Sequence, residues 1–158
     1  MLKKLFALSL VLALCGASFA RAGEITLKLG FVDPESSMYA LGGKKMAEEI
    51  AKATNGQVKV EVFSGGVLGN ERDMYEGAQM GTIDMCSVVN VVLSNFIPEM
   101  KILDQPFLFD SVEQAHKVID GKYGDLVNEK ALAQGVRVVG WFESGFRNVF
   151  SNRPLTKV

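Results

Sequence analysis

The strongest constraint on the fold is the alternation of strand-like and helix-like segments along the chain. Ile25–Leu29 and Val58–Phe63 alternate apolar and polar residues, a pattern typical of half-buried strands. Ile83–Val92 and Val136–Phe142 are mostly apolar runs, which are typical of buried strands. Segments with helical spacing separate several of these runs, and parallel strands are usually joined by such a helical crossover. The pattern therefore predicts a three-layer α/β domain with a mainly parallel sheet.

The first predicted helix lies between the two alternating strands. Ser36 or Ser37 is expected to cap its start, and Asn55-Gly56 to end it after about Ala53. The adjacent glycines at positions 42 and 43 argue against this helix, because each costs about 1 kcal/mol relative to alanine in a helix interior.

The remaining elements follow from turn residues and apolar spacing. The loop 64–69 precedes a short helix from Asn70 to about Met80, and Leu103–Phe109 is expected to be a packed turn. A further helix begins at Ser111, and Leu126–Gln134 extends or follows it.

Residues 1–22 have the composition of an export signal. A short basic region precedes the apolar run Leu5–Ala17, and Ala20-Arg21-Ala22 supplies small residues before a cleavage site. The alternative is a retained membrane anchor, which is disfavoured because the run is shorter than the roughly 20 residues that span a bilayer. We expect a cleavable signal peptide and no stable membrane insertion after cleavage.

Charge and cysteine content narrow the range of partners. Three of the 17 basic residues lie within residues 1–22, so 14 remain against 18 acidic residues, a net charge of −4. This balance, without a basic cluster, argues against nucleic acid as a partner. Only Cys86 remains after cleavage, so no internal disulfide is expected, and its apolar neighbours indicate an inert thiol. Lipidation at Cys15 is disfavoured because Leu14 precedes it, where a small residue would be expected.

The segment Gly145–Leu155 contains the candidate binding residue whose position is least explained by packing. It follows the apolar run 136–142, and it places Arg147 just after a glycine turn. A guanidinium group keeps its charge, and it commonly forms paired hydrogen bonds with a carboxylate or a phosphate. Arg147 is therefore predicted to bind an anionic group. Trp141 and Phe142, which precede it, either line the same pocket or pack in the core.

Three further candidates lie at predicted strand ends, where open α/β sheets usually bind ligands. Phe31 follows the first strand and is a candidate for packing on a ligand. Ser36 has a hydroxyl for a ligand carboxylate, although helix capping is its favoured role. Asn90 offers an amide donor and acceptor, and its alternative role is that of a turn residue.

Glu71 is a candidate because Leu68-Gly69 forms a turn that opens a helix with acidic residues in its first turn. The alternative is an ordinary capped helix in which Glu71 and Asp73 are solvated and Arg72 pairs locally. The glycines of residues 65–69 lack both the dinucleotide-binding spacing and the phosphate-loop Lys-Ser/Thr, which excludes nucleotide binding.

Two motifs, Gly145–Leu155 and Leu68–Met74 with its continuation Gly81-Thr82-Ile83-Asp84, resemble those of TRAP-transporter solute-binding proteins. These belong to the tripartite ATP-independent periplasmic, DctP-like family. The resemblance covers essentially the whole mature chain but only the first half of the family's pattern. It implies one lobe of a type II-like periplasmic binding protein. Residues 23–152 would form this first lobe, with a mainly parallel sheet and flanking helices. Residues 153–158 would begin the crossover to a second lobe that is truncated from this sequence.

The resemblance also implies a function. The protein would capture a small organic acid in the periplasm, with Arg147 near the crossover helping to hold its carboxylate. It would deliver the acid to integral membrane TRAP transporter subunits for secondary-active uptake, without a metal or any other cofactor. The alternatives are a ligand-sensing receptor domain, a binding protein of another transporter class, and a truncated product that binds nothing.

The sequence gives no support for a catalytic function. His116 is the only histidine, and it lies in a predicted amphipathic helix where a surface or half-buried role is the default. The sequence contains no Ser-His-Asp order, nucleophile elbow or metal-ligand spacing, so we expect a protein that is not an enzyme.

Overall fold

The computed structural model describes residues 24–146, 148 and 150–154. Strands β1–β3 form a parallel sheet in the order β2-β1-β3, and helices flank it. In chain order the elements are β1 (Ile25–Gly30), α1 (Met38–Ala53), β2 (Val58–Phe63), α2 (Glu71–Met80), β3 (Met85–Cys86), α3 (Asn90–Leu93), a 3₁₀ helix (Pro98–Asp104), α4 (Val112–Ile119) and α5 (Lys122–Leu132). The expected α/β class with a parallel sheet is confirmed.

Strands β1 and β2 pair in register along their whole length, from Ile25 opposite Val58 to Gly30 opposite Phe63. Their alternation buries Leu29 and Val60 together with Phe31, and α1 packs over this cluster. The sequence pattern predicts both strands correctly because one face of each is buried and the other is wet.

Helix α1 begins after Ser37, whose Oγ accepts a hydrogen bond of 3.1 Å from the Ala40 amide. Ser37 is therefore the cap, and Ser36 is an exposed residue before it. The helix ends where predicted, with Asn55 and Gly56 in the left-handed region at φ of 49° and 77°.

The two glycines inside α1 allow aromatic rings to approach the helix. A Cβ at position 43 would lie 2.6 Å from Cε2 of Phe31, and one at position 42 would lie 2.9 Å from Cε1 of Phe142. The loss of helix propensity is offset by close packing of Phe31 and Phe142. The helix is continuous despite the glycines that argued against it.

The predicted strand Ile83–Val92 is wrong except at two residues near its start. Only Met85 and Cys86 form strand β3, opposite Leu29 and Gly30 of β1. The chain then turns into α3, where the Ser94 amide donates to the Asn90 carbonyl at 2.8 Å. An apolar run of this length fits a buried strand and a buried helical turn equally well, so periodicity alone cannot separate them.

The predicted strand Val136–Phe142 is also wrong. The chain has no regular secondary structure there, and within the described residues it forms no strand ladder. Val136 and Val138 pack against the core, and the Val138 amide donates to Oδ1 of Asn128 at 3.1 Å. A strand needs a neighbour to pair with, and no pattern within residues 136–142 reports whether one is present.

The predicted packed turn Leu103–Phe109 is confirmed only in part. Leu103 lies in the 3₁₀ helix and contacts the core. Phe107, by contrast, is 79% exposed and has a φ of 58°.

The core has two centres. One lies between the sheet and α1, around Leu29, Phe31 and Val60. The other lies among α2, α3, the 3₁₀ helix and α5, and its buried members are Tyr75, Leu93, Ile97, Met100, Val127 and Ala131. Of the helices that the structure describes, none combines the length and the apolar character needed to cross a bilayer.

Candidate functional site

The candidate site lies at the carboxyl edge of the parallel sheet. The loops that leave β1 and β2 are joined there, since the Gly65 amide donates to the Asp33 carbonyl at 2.7 Å and the Gly66 amide to the Phe31 carbonyl at 3.0 Å. After β3, the Ser87 amide continues the ladder by donating to the Gly30 carbonyl at 2.9 Å. The end of β1, the end of β3 and the start of α2 thus meet at one edge, where parallel α/β sheets bind ligands.

The start of α2 is a complete capping box. Oδ1 of Asn70 accepts from the Asp73 amide at 3.0 Å, and Oδ2 of Asp73 accepts from the Asn70 amide at 3.2 Å. Arg72 pairs with Glu76 at 3.0 Å, and its guanidinium lies over the Phe96 ring. Arg72 therefore pairs locally, as the alternative interpretation of this helix predicted, and Asp73 is an exposed member of the helix cap.

Glu71 differs from its neighbours because its carboxylate is turned toward the strand ends. Partial burial raises the pKa of Glu71, a hydrogen bond from the Val89 amide opposes the increase, and the nearby Asp33 carboxylate raises the pKa further. An ionised carboxylate only accepts hydrogen bonds. Glu71 is therefore suited to accept one from a hydroxyl group at this edge.

Asn90 is the first residue of α3, and its Nδ2 donates to Oδ1 of Asp104. It follows Val89, whose amide contacts Glu71, so Asn90 and Glu71 lie on adjacent segments of the site. The predicted placement of Asn90 at the end of a strand is wrong, because two residues of β3 and three of loop precede it.

The structure places Phe31 in the core and Ser36 in an exposed turn, and their predicted contacts with a ligand stay predictions. Phe31 is 0% exposed, and its ring packs edge-to-face on Phe142 with centroids 6.0 Å apart. Ser36 is exposed in the turn before Ser37, and it leaves the capping role to that residue.

Arg147 lies outside the described residues. The chain that leads to it is held at three consecutive positions, residues 142–144, which we call the anchor segment. Phe142 packs on Tyr39 as well as Phe31, Glu143 accepts from Nε2 of His116 at 2.6 Å, and Ser144 shares a hydrogen bond of 2.6 Å with the Tyr39 hydroxyl. Gly145 then turns the chain with a φ of 74°.

Sequence reasoning missed the contributions of Asp33, Tyr39 and Ser144 to this region. Asp33 precedes a proline in the loop after β1, which signals a turn but says nothing of its distance from Glu71. The Tyr39–Ser144 bond spans 105 residues of sequence, and no local pattern reports such a contact.

Cys86 is the last residue of β3, opposite Gly30 of β1. Burial raises the pKa of its thiol to about 11, and the charge of Glu71 contributes in the same direction. The thiol is therefore protonated at neutral pH, in agreement with the inert role predicted from its apolar neighbours.

A groove of about 270 Å³ lies elsewhere, between α5 and residues 138–141, with Asp120, Asp125 and Trp141 among its lining residues. Of the residues that the sequence suggests for the binding pocket, this groove includes only Trp141. Across the described ranges, no group of three or more His, Cys, Asp or Glu side chains is arranged to hold a metal ion.

The family profile of bacterial extracellular solute-binding proteins, family 7, matches residues 29–158. A solute-binding protein of Roseobacter denitrificans is 36% identical over 156 residues, which are 98% of this chain and 47% of that protein. The chain therefore belongs to this family, whose members are extracellular binding proteins.

Two crystal structures of TRAP periplasmic solute-binding proteins share the fold. The protein from Polaromonas sp. JS666, bound to D-erythronate, is 39% identical with a TM-score of 0.66, over 71% of this chain and 37% of that one. The protein from Citrobacter koseri, with bound D-glucuronate, is 32% identical with a TM-score of 0.71, over 82% and 44%. The chain thus spans less than half the length of each relative.

Proposed function

We propose that this chain is the first lobe of the solute-binding component of a TRAP-type transporter, and that the intact protein captures a small organic acid in the periplasm. Residues 1–22 direct export as a cleavable signal peptide, residues 23–152 form the lobe, and residues 153–158 begin the crossover to the second lobe. Integral membrane TRAP subunits receive the acid for secondary-active uptake.

The observation that carries this proposal is the match of the fold to two TRAP proteins that each hold a hydroxylated carboxylic acid. Both relatives exceed 30% identity to this chain in the aligned region. The open carboxyl edge between β1, β3 and the start of α2 supports the same reading, because ligands of parallel α/β sheets bind there.

Two side chains recognise different groups of the acid, its carboxylate and a hydroxyl. Arg147 holds the carboxylate of the acid through charge-assisted hydrogen bonds. Glu71, half-buried beside Val89, accepts a hydrogen bond from a hydroxyl of the ligand. Asp33 adds negative charge beside Glu71 and disfavours a second carboxylate at that position. Binding leaves the acid unchanged and needs no cofactor, because closure of the lobes and release are the whole cycle.

A thermal-shift screen of the complete mature gene product tests this proposal. The panel is D-erythronate, D-glucuronate and succinate, each beside a neutral analogue of similar size. We expect stabilisation by at least one acid, loss of that stabilisation in Arg147→Ala, and a partial effect in Arg147→Lys, which keeps the charge but not the paired geometry. Recovery of the acid unchanged after incubation is expected by NMR.

Stabilisation by acids that persists in full in Arg147→Ala would remove Arg147 from the site. No stabilisation of a folded protein by any acid of the panel would contradict the proposed function.

A further inference from the structure

The backbone of residues 139–142 makes no hydrogen bond with any residue that the structure describes. Just before this stretch, the amide of Val136 donates to the Ala131 carbonyl and the amide of Val138 donates to Oδ1 of Asn128, both at 3.1 Å. These two bonds join the chain to α5, but beyond them the groove of about 270 Å³ separates the two. The backbone donors and acceptors that follow Val138 are therefore left to water or to a partner.

The side chains of the same stretch are apolar and exposed. Val139 is 73% exposed, Trp141 37% and Phe142 49%. Residues 138–142, which we call the open edge, include no charged residue and no proline. Exposed strand edges of natural proteins are usually protected by such residues, since an unprotected edge pairs with other segments. The open edge is thus suited to be covered and not to face water.

The two bonds to α5 indicate which backbone groups of the open edge face outward. Successive residues of a strand direct their amides and their side chains to opposite sides. Val136 and Val138 direct their amides to α5, and their side chains pack against the core. A strand that continues this alternation directs the amides of Val139 and Trp141 away from α5. Those two amides are the donors that a partner strand would use.

The second half of the same protein is the partner that fits this edge best. The chain spans 47% or less of each relative described above. The sequence runs from the open edge to residue 158, so any continuation of the chain is tethered near that edge. A tethered segment meets the edge at an effective concentration in the millimolar range, which a second copy of the protein reaches only in concentrated solution.

We propose that the open edge is the docking site for an extended segment from the second half of the complete gene product. The segment pairs with the backbone of Val139 and Trp141, adds a strand there and packs against their side chains. This inference rests on the second lobe of the proposed function, and not on its ligand. It explains why an apolar run with the composition of a strand has no pairing partner among the residues that the structure describes.

Photo-cross-linking from position 139 identifies the partner. We replace Val139 with p-benzoylphenylalanine in the complete mature gene product, where the 73% exposure of this side chain leaves room for the larger ring. We expect cross-links to one stretch of the same chain beyond residue 158, located by mass spectrometry of the peptides. Mixing isotopically light and heavy protein distinguishes a cross-link within one chain from one between two copies. Met80, which is also 73% exposed, is the matched control position and should not cross-link to that stretch.

Val139→Pro tests the backbone pairing itself, because proline has no amide to donate. The Val139 amide has no partner among the described residues, so this substitution should matter only if the edge is paired. We expect it to lower the urea midpoint of the complete gene product by roughly 1 M. Val139→Thr keeps the amide and the preference for a strand, and it should leave the midpoint almost unchanged.

Hydrogen exchange of the parent protein provides a measurement that needs no variant. We expect the amides of Val139 and Trp141 to exchange at least about 100-fold more slowly than in an unstructured peptide. Exchange at the rate of an unstructured peptide would overturn the inference. So would equal urea midpoints for Val139→Pro and Val139→Thr.

The remaining outcomes separate this inference from the proposed function, since none of these measurements uses an acid. Cross-links from position 139 to a second copy, or to no residue beyond 158, overturn the inference. A complete gene product that binds an acid of the panel with an unpaired open edge overturns it alone. A product with a paired open edge that binds no acid contradicts the proposed function alone.

Discussion

Replacing Phe31 with alanine decides between its predicted contact with a ligand and its observed place in the core. The side chain is 0% exposed and lies between Gly43 and the Phe142 ring. Truncating a buried phenylalanine to alanine costs about 3–5 kcal/mol, through lost transfer free energy and the cavity that remains. The edge-to-face contact with Phe142 is part of this loss.

Chemical denaturation followed by circular dichroism measures the effect. Phe31→Ala should lower the free energy of unfolding by about 3–5 kcal/mol, and Phe31→Leu should lower it much less because it keeps most of the apolar volume. Phe107→Ala is the matched control, since that ring is 79% exposed and should contribute almost nothing. Equal losses for Phe31→Ala and Phe107→Ala would refute the core assignment. A Phe31→Leu variant that keeps full stability but no longer binds acid would also refute it.

Three further predictions concern the carboxyl edge. Asn70→Ala should lower the free energy of unfolding by about 1 kcal/mol through loss of the helix cap, measured by urea denaturation. Cys86 should resist alkylation at pH 8 and react once urea unfolds the protein, as followed by peptide mass spectrometry; rapid reaction of the folded protein would contradict its burial. Glu71 has a raised pKa, so the folded protein favours its protonated form, and its charge is unfavourable above that pKa. Glu71→Gln should therefore be more stable than the parent at pH 7, with a difference that closes below about pH 4.5, the ordinary value. A difference independent of pH would be inconsistent with this reasoning.

The local parts of the fold follow from the sequence. Strands β1 and β2 and the ends of α1 are set by alternation, capping and a left-handed turn, all of which lie within a few residues. The two wrong strands fail for a different reason. Whether Val136–Phe142 becomes a strand depends on a pairing partner elsewhere in the chain, and no window of sequence contains that information.

The candidate site, like the fold, can be predicted from the sequence only in part. The sequence places Glu71 at the start of a helix, and the structure brings it beside the strand ends, but its contact with a ligand stays a prediction. The ligand contacts of Asn90 and Arg147 also stay predictions, and Arg147 lies outside the described residues. Burial of Phe31 required knowledge of Gly43, which the sequence presents only as a weakness of the helix. The Tyr39–Ser144 bond is equally non-local.

Calorimetric titration of the complete mature gene product with D-erythronate and with erythritol, its neutral counterpart, tests the central claim most directly. D-Glucuronate with glucose, and succinate with butanediol, extend the test to other acids. Paired charge-assisted hydrogen bonds to a carboxylate are together worth about 3 kcal/mol or more. The account therefore predicts saturable binding of at least one acid, at least about 100-fold tighter than its neutral counterpart. Acids that bind no better than their neutral counterparts, to a protein shown to be folded, would contradict it.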